Sequence, residues 1–442
     1  MDPIFGTPQR PASPVTRIDA AGRPISLDLR APERNTVLFT GGPGMGKSFE
    51  LEKVQELARS KGWPCLKVEA SPREPLESRF VREATRNLGG LRKQYGFLGL
   101  RKLKKTIKNL TQRSRNQQNG AEVRVGVAPV QLVAKRQWDA PGGNGLGSTL
   151  DELATELGDL AAKKGQPVVL MVDNLDVASE RDLAALTELS THLERGGRPV
   201  YLVAAGSEMA MTRLMAASGG HSGVATAVTS RYDVRECGPL SGDELRPTLT
   251  EPLRKAGIAH SPDAADQLLQ ASGGHPGRLR DLAEKAVDLI GNQPDGLTPD
   301  VAKAAIAQVN ADSRVVYQAE WNSCSGAEKE LLAKTASRGA RGLSMPSETQ
   351  AAGPGNWPAV DTARQMLLAR GLVRETGDRI TVADPGMRDW VEIRVGHSAA
   401  HAGVALPGSA APAITAETQG RHVEGANAYK RQVGQTTFTV NR

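Results

Sequence analysis

Residues Thr36–Ser48 read TVLFTGGPGMGKS. The first five, Thr36–Thr40, are apolar or β-branched and predict a short buried strand. The next eight fit the pattern GxxxxGK[ST], and from Ser48 to Ser60 helical spacing follows at Leu51, Val54, Leu57 and Ala58, ending at Gly62. A glycine-rich turn between a strand and a helix is the setting in which this pattern acts as a P-loop. Its glycines permit backbone conformations closed to other residues, so that consecutive N–H groups can wrap phosphates at a helix N-terminus. The candidate cradle is therefore Gly41, Gly42, Pro43, Gly44, Met45, Gly46, Lys47, Ser48 and the adjoining Phe49. Lys47 is expected to reach the β and γ phosphates of ATP, and Ser48 to place its hydroxyl on Mg2+.

Working outward, Pro64–Ala70 (PCLKVEA) predicts a second strand, and strand–helix–strand at this length implies a parallel sheet. Val168–Val172 (VVLMV) is apolar throughout, as a strand buried on both faces must be. Helices are expected over 150–164 and 180–195, and a further strand over Pro199–Ala204. Asp173, directly after VVLMV, is the expected second magnesium anchor. Asn174 follows it, and an amide orients water without taking its proton. Asp176 is the nearest carboxylate: a substitute base or a solvated loop residue, with both readings open.

Composition narrows the class. Across 442 residues, 39% are hydrophobic and 24% charged, ordinary values for a soluble globular chain. The net charge of +7 suits an anionic partner. Cys65, Cys237 and Cys324 are scattered and form no CxxC pair, so neither a zinc site nor a disulfide framework is expected and a reducing cytoplasm fits. The N-terminus lacks the charged and apolar regions of a signal peptide. No run approaches the roughly 20 apolar residues of a membrane span.

Five segments are expected. Residues 1–34 form an irregular arm, and 35–240 an α/β core with a basic insertion at 84–147. Between Ala84 and Ala121 there are ten basic residues and no acidic one; Leu100, Leu103, Ile107 and Leu110 keep helical spacing, which predicts a basic amphipathic helix over 92–115. Residues 116–147 read as a loop, with a hairpin at Glu122–Pro129. A helical lid follows over 241–323, with Ser241 and Glu244 at capping-box spacing and Ser261-Pro262 and Thr298-Pro299 as helix starts. Residues 325–396 predict helices at 326–337, near Ser347 and at 360–370, then two strands flanking Thr376-Gly377-Asp378, the layout of a winged helix-turn-helix. Residues 397–442 are poor in hydrophobic periodicity and read as a disordered tail.

Taken in order, the P-loop, VVLMVDNLD (168–176), PVYLVAAGS (199–207), VTSRYDVREC (228–237) and SGGHPGRLRDLAEKA (272–286) resemble bacterial AAA+/STAND-type ATPases similar to the origin-recognition initiators. The resemblance spans about residues 30–394 and is strongest at the P-loop. It implies an α/β fold: a P-loop NTPase parallel sheet with a helical lid, followed by a winged-helix domain. It also implies roles. Ser207 falls in the sensor 1 region, or is the N-cap of the helix at 208–217. Arg231 looks like an arginine finger acting in trans within a homo-oligomer, or is a plain surface arginine. Gly274-His275-Pro276 looks like the GxP motif that rests on nucleotide, and Arg278 or Arg280 like sensor 2.

Two departures shape the expected function. The adenine-holding box that precedes the P-loop in such ATPases is not evident in Met1–Arg34, and Asn174 replaces the usual glutamate. ATP binding is thus better supported than fast turnover, which fits a slow, nucleotide-controlled switch. DNA is an expected partner through the winged helix, with Val360–Arg370 as recognition helix and Arg374–Arg379 as wing, and through the basic helix. Arg364 and Arg370 are few cations for groove reading, and winged helices also contact proteins. The rival is a non-hydrolysing ATP-gated scaffold without nucleic acid. A P-loop kinase is disfavoured by the helical lid and the GHPGR segment.

Overall fold

The computed structural model describes residues 4–5, 35–122, 147–217, 232–291 and 295–402. The described residues up to Val395 lie in one compact unit, and 396–442 is a second. Five parallel strands build the core: β1 (Thr36–Thr40), β2 (Cys65–Glu69), β3 (Val168–Asp173), β4 (Val200–Ala205) and β5 (Asp233–Glu236), in the spatial order β2-β3-β4-β1-β5. β1 pairs with β4 (Leu38 with Ala204) and β5 (Leu38 with Val234), so the P-loop strand is central. β1 and β3 are buried along their whole length, as their unbroken apolar runs require. Helices α1 (Lys47–Ser60), α3 (Gly147–Lys164), α4 (Glu180–Gly196) and α5 (Glu208–Ala217) accompany them. This is the P-loop NTPase fold, and its ligand face lies where the strands' C-terminal ends meet the loops.

β5 was not expected. Its sequence, DVRE, has no apolar run; it becomes a strand because it adds to the free edge of β1. The basic insertion also differs from expectation. α2 runs from Leu76 to Glu122, broken at Gly96 (φ 75, ψ 170), so residues 116–122 are helical where a loop was expected. Its N-terminus is anchored by Asp182, whose Oδ1 accepts from the Leu76 amide at 2.9 Å. The hairpin expected from Glu122 falls outside the described residues after its first. Leu100, Leu103, Ile107 and Leu110 are buried as predicted, while Arg101, Lys102, Lys105 and Lys108 are exposed on the other faces.

Beyond β5 lie four helices of the lid region: α6 (Gly242–Lys255), α7 (Pro262–Ser272), α8 (Pro276–Ile290) and α9 (Pro299–Asp312). Their starts are local chemistry. Ser241 and Glu244 exchange capping-box bonds, and the hydroxyls of Ser261 and Thr298 accept from Ala264 and Val301 at 3.1 and 3.3 Å. Each such cap stabilises its helix by about 1 kcal/mol. Ile4 and Phe5, the described part of the N-terminal arm, pack on this bundle's core.

The C-terminal module comprises α10 (Arg314–Ser323), α11 (Gly326–Ser337), α12 (Met345–Ala369) and α13 (Pro385–Ala402), with strands β6 (Leu343–Ser344), β7 (Val373–Thr376) and β8 (Arg379–Val382). The strands form an antiparallel sheet in the order β6-β8-β7. The two helices expected near Ser347 and at 360–370 are one element kinked at Gly353 (φ 69, ψ 170). The expected tail begins in helix, since α13 continues to Ala402, and residues 403–442 lie outside the described residues. No helix among the described residues is long and apolar enough to cross a membrane.

Candidate nucleotide site

The P-loop leaves β1 at Gly41, whose φ of 139° belongs to glycine; a Cβ there would also meet the Cys237 carbonyl oxygen at 2.6 Å. The loop ends at Gly46, the N-cap of α1 (φ 86°), so α1 starts at Lys47 with its first amides facing the loop. Lys47 Nζ donates to the carbonyls of Gly41 and Gly42, both at 2.8 Å, across the mouth of the loop. Burial holds the Lys47 ammonium below its ordinary pKa, while Asp176, Cys237 and Asp173 pull it back up. An incoming phosphate would replace those two carbonyls as the ammonium's partners.

The sheet brings Ser48 and Asp173 together from positions 125 apart in the chain: Ser48 Oγ donates to Asp173 Oδ1 at 3.2 Å. The Asn174 amide donates to the same oxygen at 2.9 Å, orienting the carboxylate. Among the described residues, no group of three or more His, Cys, Asp or Glu side chains could hold a metal by itself. A cation at Ser48 and Asp173 would therefore share oxygen ligands with phosphates and water, a pattern suited to magnesium. The hydroxyl and carboxylate are both hard oxygen donors, and they fit that ion.

Asn174 adopts a left-handed conformation (φ 59, ψ 43) that asparagine tolerates and most residues do not. The chain then turns through Leu175–Val177, placing Asp176 against the start of α5. Its two carboxylate oxygens accept from the Ser207 amide at 3.1 and 3.2 Å. The Ser207 hydroxyl accepts from Ala210 N at 3.3 Å, so the N-cap reading of Ser207 matches its geometry, and the residue also lines the cleft. Arg213 staples the loop, donating to the carbonyls of Asp176 and Ala178 at 2.9 and 2.7 Å and pairing with Glu180.

The lid region supplies a second wall. Pro276 is the first residue of α8, and the Gly277 amide donates to the P-loop carbonyl of Gly44 at 3.0 Å. A Cβ there would lie 3.0 Å from Gly44 Cα, so any larger residue would crowd the loop. His275 Nε2 bonds the Ala383 carbonyl at 2.6 Å; a carbonyl only accepts, so that nitrogen carries the proton. Burial, then the nearby Arg374 cation, lower the His275 pKa to about 4, and the ring is neutral at neutral pH. Arg278 is committed elsewhere: it bonds Ala271 O, Tyr317 Oη and Asn310 Oδ1 and pairs with Asp384 at 2.9 Å. Arg280 pairs with Glu284 at 2.7 Å and lines the cleft.

The C-terminal module closes the third side. A Cβ on Gly371 would sit 3.6 Å from Pro43 Cδ, at ordinary contact distance. Together the walls enclose a cleft of about 840 Å³, lined also by Phe5, Leu249 and Met387. That volume is ample for a nucleotide-sized ligand. The cations of the expected recognition helix are already paired: Arg364 with Asp361 and Glu375 at 2.8 and 2.6 Å, and Arg370 with Glu320 at 2.8 Å. Arg374 is largely buried and donates to Ala383 O at 3.0 Å. Arg231 lies outside the described residues. Phe5, Gly277 and Gly371 were not singled out from the sequence. Gly277 had a signal in its place beside GHP, whereas Phe5 and Gly371 reach the cleft only through tertiary packing.

Comparison with known proteins agrees with this geometry. Residues 26–203 match the model of the AAA ATPase domain family, a match that ends within β4. No curated protein sequence matches the chain. Among solved structures, the Walker-type ATPase of Pyrococcus abyssi is 12% identical with a TM-score of 0.50, over 81% of this chain and 91% of that one. Cdc6p from Pyrobaculum aerophilum is 13% identical (TM-score 0.37, 83% and 88% covered). The Aeropyrum pernix Orc1 protein, solved in complex with DNA, is 14% identical (TM-score 0.34, 82% and 88% covered). The first of these likenesses supports the fold.

Proposed function

We propose that this chain is a magnesium-dependent ATPase of slow turnover, acting as a nucleotide-controlled switch that couples ATP state to DNA or a protein partner through its C-terminal module, read as a winged helix. The observation that carries this reading is the 3.2 Å approach of Ser48 Oγ to Asp173 beside a P-loop whose lysine faces the loop mouth. Bound ATP with Mg2+ would supply a phosphoanhydride activated for attack by water. The chain's own residues do the rest. Backbone N–H groups from Gly44 to Ser48 would bind phosphate oxygens, Lys47 would offset their charge, and Ser48 and Asp173 would hold the metal.

Slow turnover follows from the water side of the site. Asn174 has no proton-accepting group, and both oxygens of the Asp176 carboxylate already accept from the Ser207 amide, which turns them toward the protein. Asp176 remains the carboxylate nearest Asp173 along the chain and is proposed as the base, with Ser207 holding it in place. Of the two sensor 2 candidates, Arg280 is favoured, because Arg278 is held by Asn310, Tyr317 and Asp384. Arg231 is proposed to act in trans in a homo-oligomer, and Cys65, Cys237 and Cys324, which form no disulfide among the described residues, fit a cytoplasmic setting.

For DNA, the exposed Arg101, Lys102, Lys105 and Lys108 on α2 offer a phosphate-binding stripe. The pairing of Arg364 and Arg370 favours the second reading, an ATP-gated scaffold whose module meets protein. Fluorescent-ATP titration with and without magnesium, followed by single-turnover hydrolysis against Lys47→Ala, tests the enzyme. Phosphate release no faster than that variant's would overturn it. Anisotropy with duplex DNA at two salt concentrations tests the partner: undetectable or salt-insensitive binding selects the scaffold.

A further inference from the structure

We propose that Asp384 is a positioning residue that locks the lid region to the C-terminal module, so that the two respond to nucleotide as one body. The proposal rests on the nucleotide reading above and adds which parts move together.

The joint between lid region and module is a polar network in which Arg278 is largely buried and Asp384, 36% exposed, caps it from the solvent side. Asp384, just before α13, pairs through Oδ1 with Arg278 Nη1 at 2.9 Å and accepts the Gly386 amide on the same oxygen at 2.8 Å. Its Oδ2 accepts from the Tyr317 hydroxyl at 2.9 Å. Arg278, whose side chain is 10% exposed, also reaches Tyr317 Oη, Asn310 Oδ1 and Ala271 O, so one guanidinium ties α7, α8, α9 and α10 to α13. Gly386 leaves room for this, since a Cβ there would meet Arg278 Nη2 and Tyr317 Oη at 2.5 Å. Beside the network, Ala383 O is bonded by both His275 and Arg374, and Trp390 packs on Tyr317 and Trp321 with ring centroids 6.4 and 6.1 Å apart. Removing Asp384 would take from the largely buried Arg278 guanidinium its one charged partner in the network, which makes the joint costly to open.

Contacts from this body to the core are of another kind. One is the backbone bond from Gly277 to Gly44, another is the approach of Gly371 to Pro43, and a third is the packing of α12 on α5. Burial first, and then the like charges of Glu236 in the core and Glu375 in the module, hold the Glu208 carboxyl above its ordinary pKa. The connecting chain is bonded at both ends, Cys237 N to Thr40 O in the core at 2.7 Å and Leu240 N to Gly274 O in the lid region at 2.9 Å.

The test uses the full chain with spin labels at exposed Lys164 (core), Lys303 (lid region) and Glu330 (module), each replaced by cysteine, taken in pairs. Native thiols interfere little: Cys237 and Cys324 are buried, and burial pushes the Cys65 pKa up to about 12. Distances are measured by pulsed dipolar spectroscopy with and without a slowly hydrolysed ATP analogue, and binding is checked independently with fluorescent ATP. The analogue is expected to shift the 164–303 and 164–330 distances together and to leave 303–330 unchanged. In Asp384→Ala, 303–330 should broaden and become nucleotide-dependent, with fluorescent-ATP release accelerated about tenfold. Tyr317→Phe, which deletes one hydroxyl, should give the same change in smaller measure, and Asp384→Glu should partly restore the wild-type distances. A 303–330 distance that moves in the wild type, no movement of any pair despite binding, or an Asp384→Ala protein that behaves like wild type overturns the inference. Failure of fluorescent ATP to bind overturns the nucleotide reading, and the inference with it.

Discussion

The amide of Gly277, in the first turn of α8, donates to the carbonyl of Gly44 in the P-loop at 3.0 Å. The loop that faces phosphate and the helix that walls the cleft are thus bonded directly, with no side chain between them. A methyl group at Gly277 would stand 3.0 Å from Gly44 Cα and 3.1 Å from its oxygen. Gly277→Ala is therefore expected to force the two segments apart at a cost of about 1–3 kcal/mol. In a fluorescent-ATP titration this would appear as affinity weakened by roughly 5- to 150-fold. Unchanged affinity would mean that the lid region takes no part in binding.

Asp173→Asn should separate the metal from the nucleotide. The amide can still accept from Ser48 and from the Asn174 amide, so the fold is expected to persist. Binding in the presence of a chelator should match wild type, while the gain in affinity on adding magnesium is lost. Isothermal titration with and without magnesium measures both.

For Asp176, hydrolysis and stability should part company. In Asp176→Asn the amide oxygen can keep one of the two Ser207 bonds, so the melting temperature should fall by no more than about 2 °C. Loss of a general base lowers the rate by roughly 10²–10⁴-fold, and single-turnover phosphate release is expected to fall by about 10² or more. A rate within threefold of wild type would leave Asp176 as a capping residue only.

Much of the core was legible because its signals are local. A strand followed by GGPGMGKS, an all-apolar VVLMV before Asp173, and Ser or Thr ahead of proline at helix starts all act within a few residues. What stayed hidden depends on distant partners. β5 is a strand only because β1 has a free edge, and β6, Leu343–Ser344, only because Ile380 and Arg379 lie opposite. Asp176 stays open in the sequence between a base and a solvated loop residue, because its partner, the Ser207 amide, lies 31 residues on. Arg278 looked free to sense phosphate, yet Asp384, more than a hundred positions away, already holds it.

Two buried titratable groups should tilt stability in opposite directions with pH. Glu77 has its pKa raised from 4.5 to about 7, first by burial, with Arg181 opposing. The folded state then holds the proton more tightly, so this contribution is full below pH 4.5 and is lost as pH rises through 7. Glu77→Gln should raise the melting temperature relative to wild type at pH 8 and leave it nearly unchanged at pH 4.5 or below. Melting temperatures equal at both ends would show that Arg181 compensates the charge fully.

His275 carries the reverse sign. Its folded pKa is depressed from 6.5 to about 4, so its contribution is full above pH 6.5 and is lost as pH falls through 4. His275→Gln, which can keep a donor toward Ala383 O, should flatten the stability profile between those limits while leaving neutral-pH stability within about 1 kcal/mol. A wild-type profile as steep as the variant's would place the ring in solvent.

The contact between Gly41 and Cys237 has a mechanical consequence. The segment leading to the lid region departs from the core against the first glycine of the P-loop. A side chain at Gly41 would press on the end of β5, so the loop and the chain's exit from the core cannot be altered independently of one another.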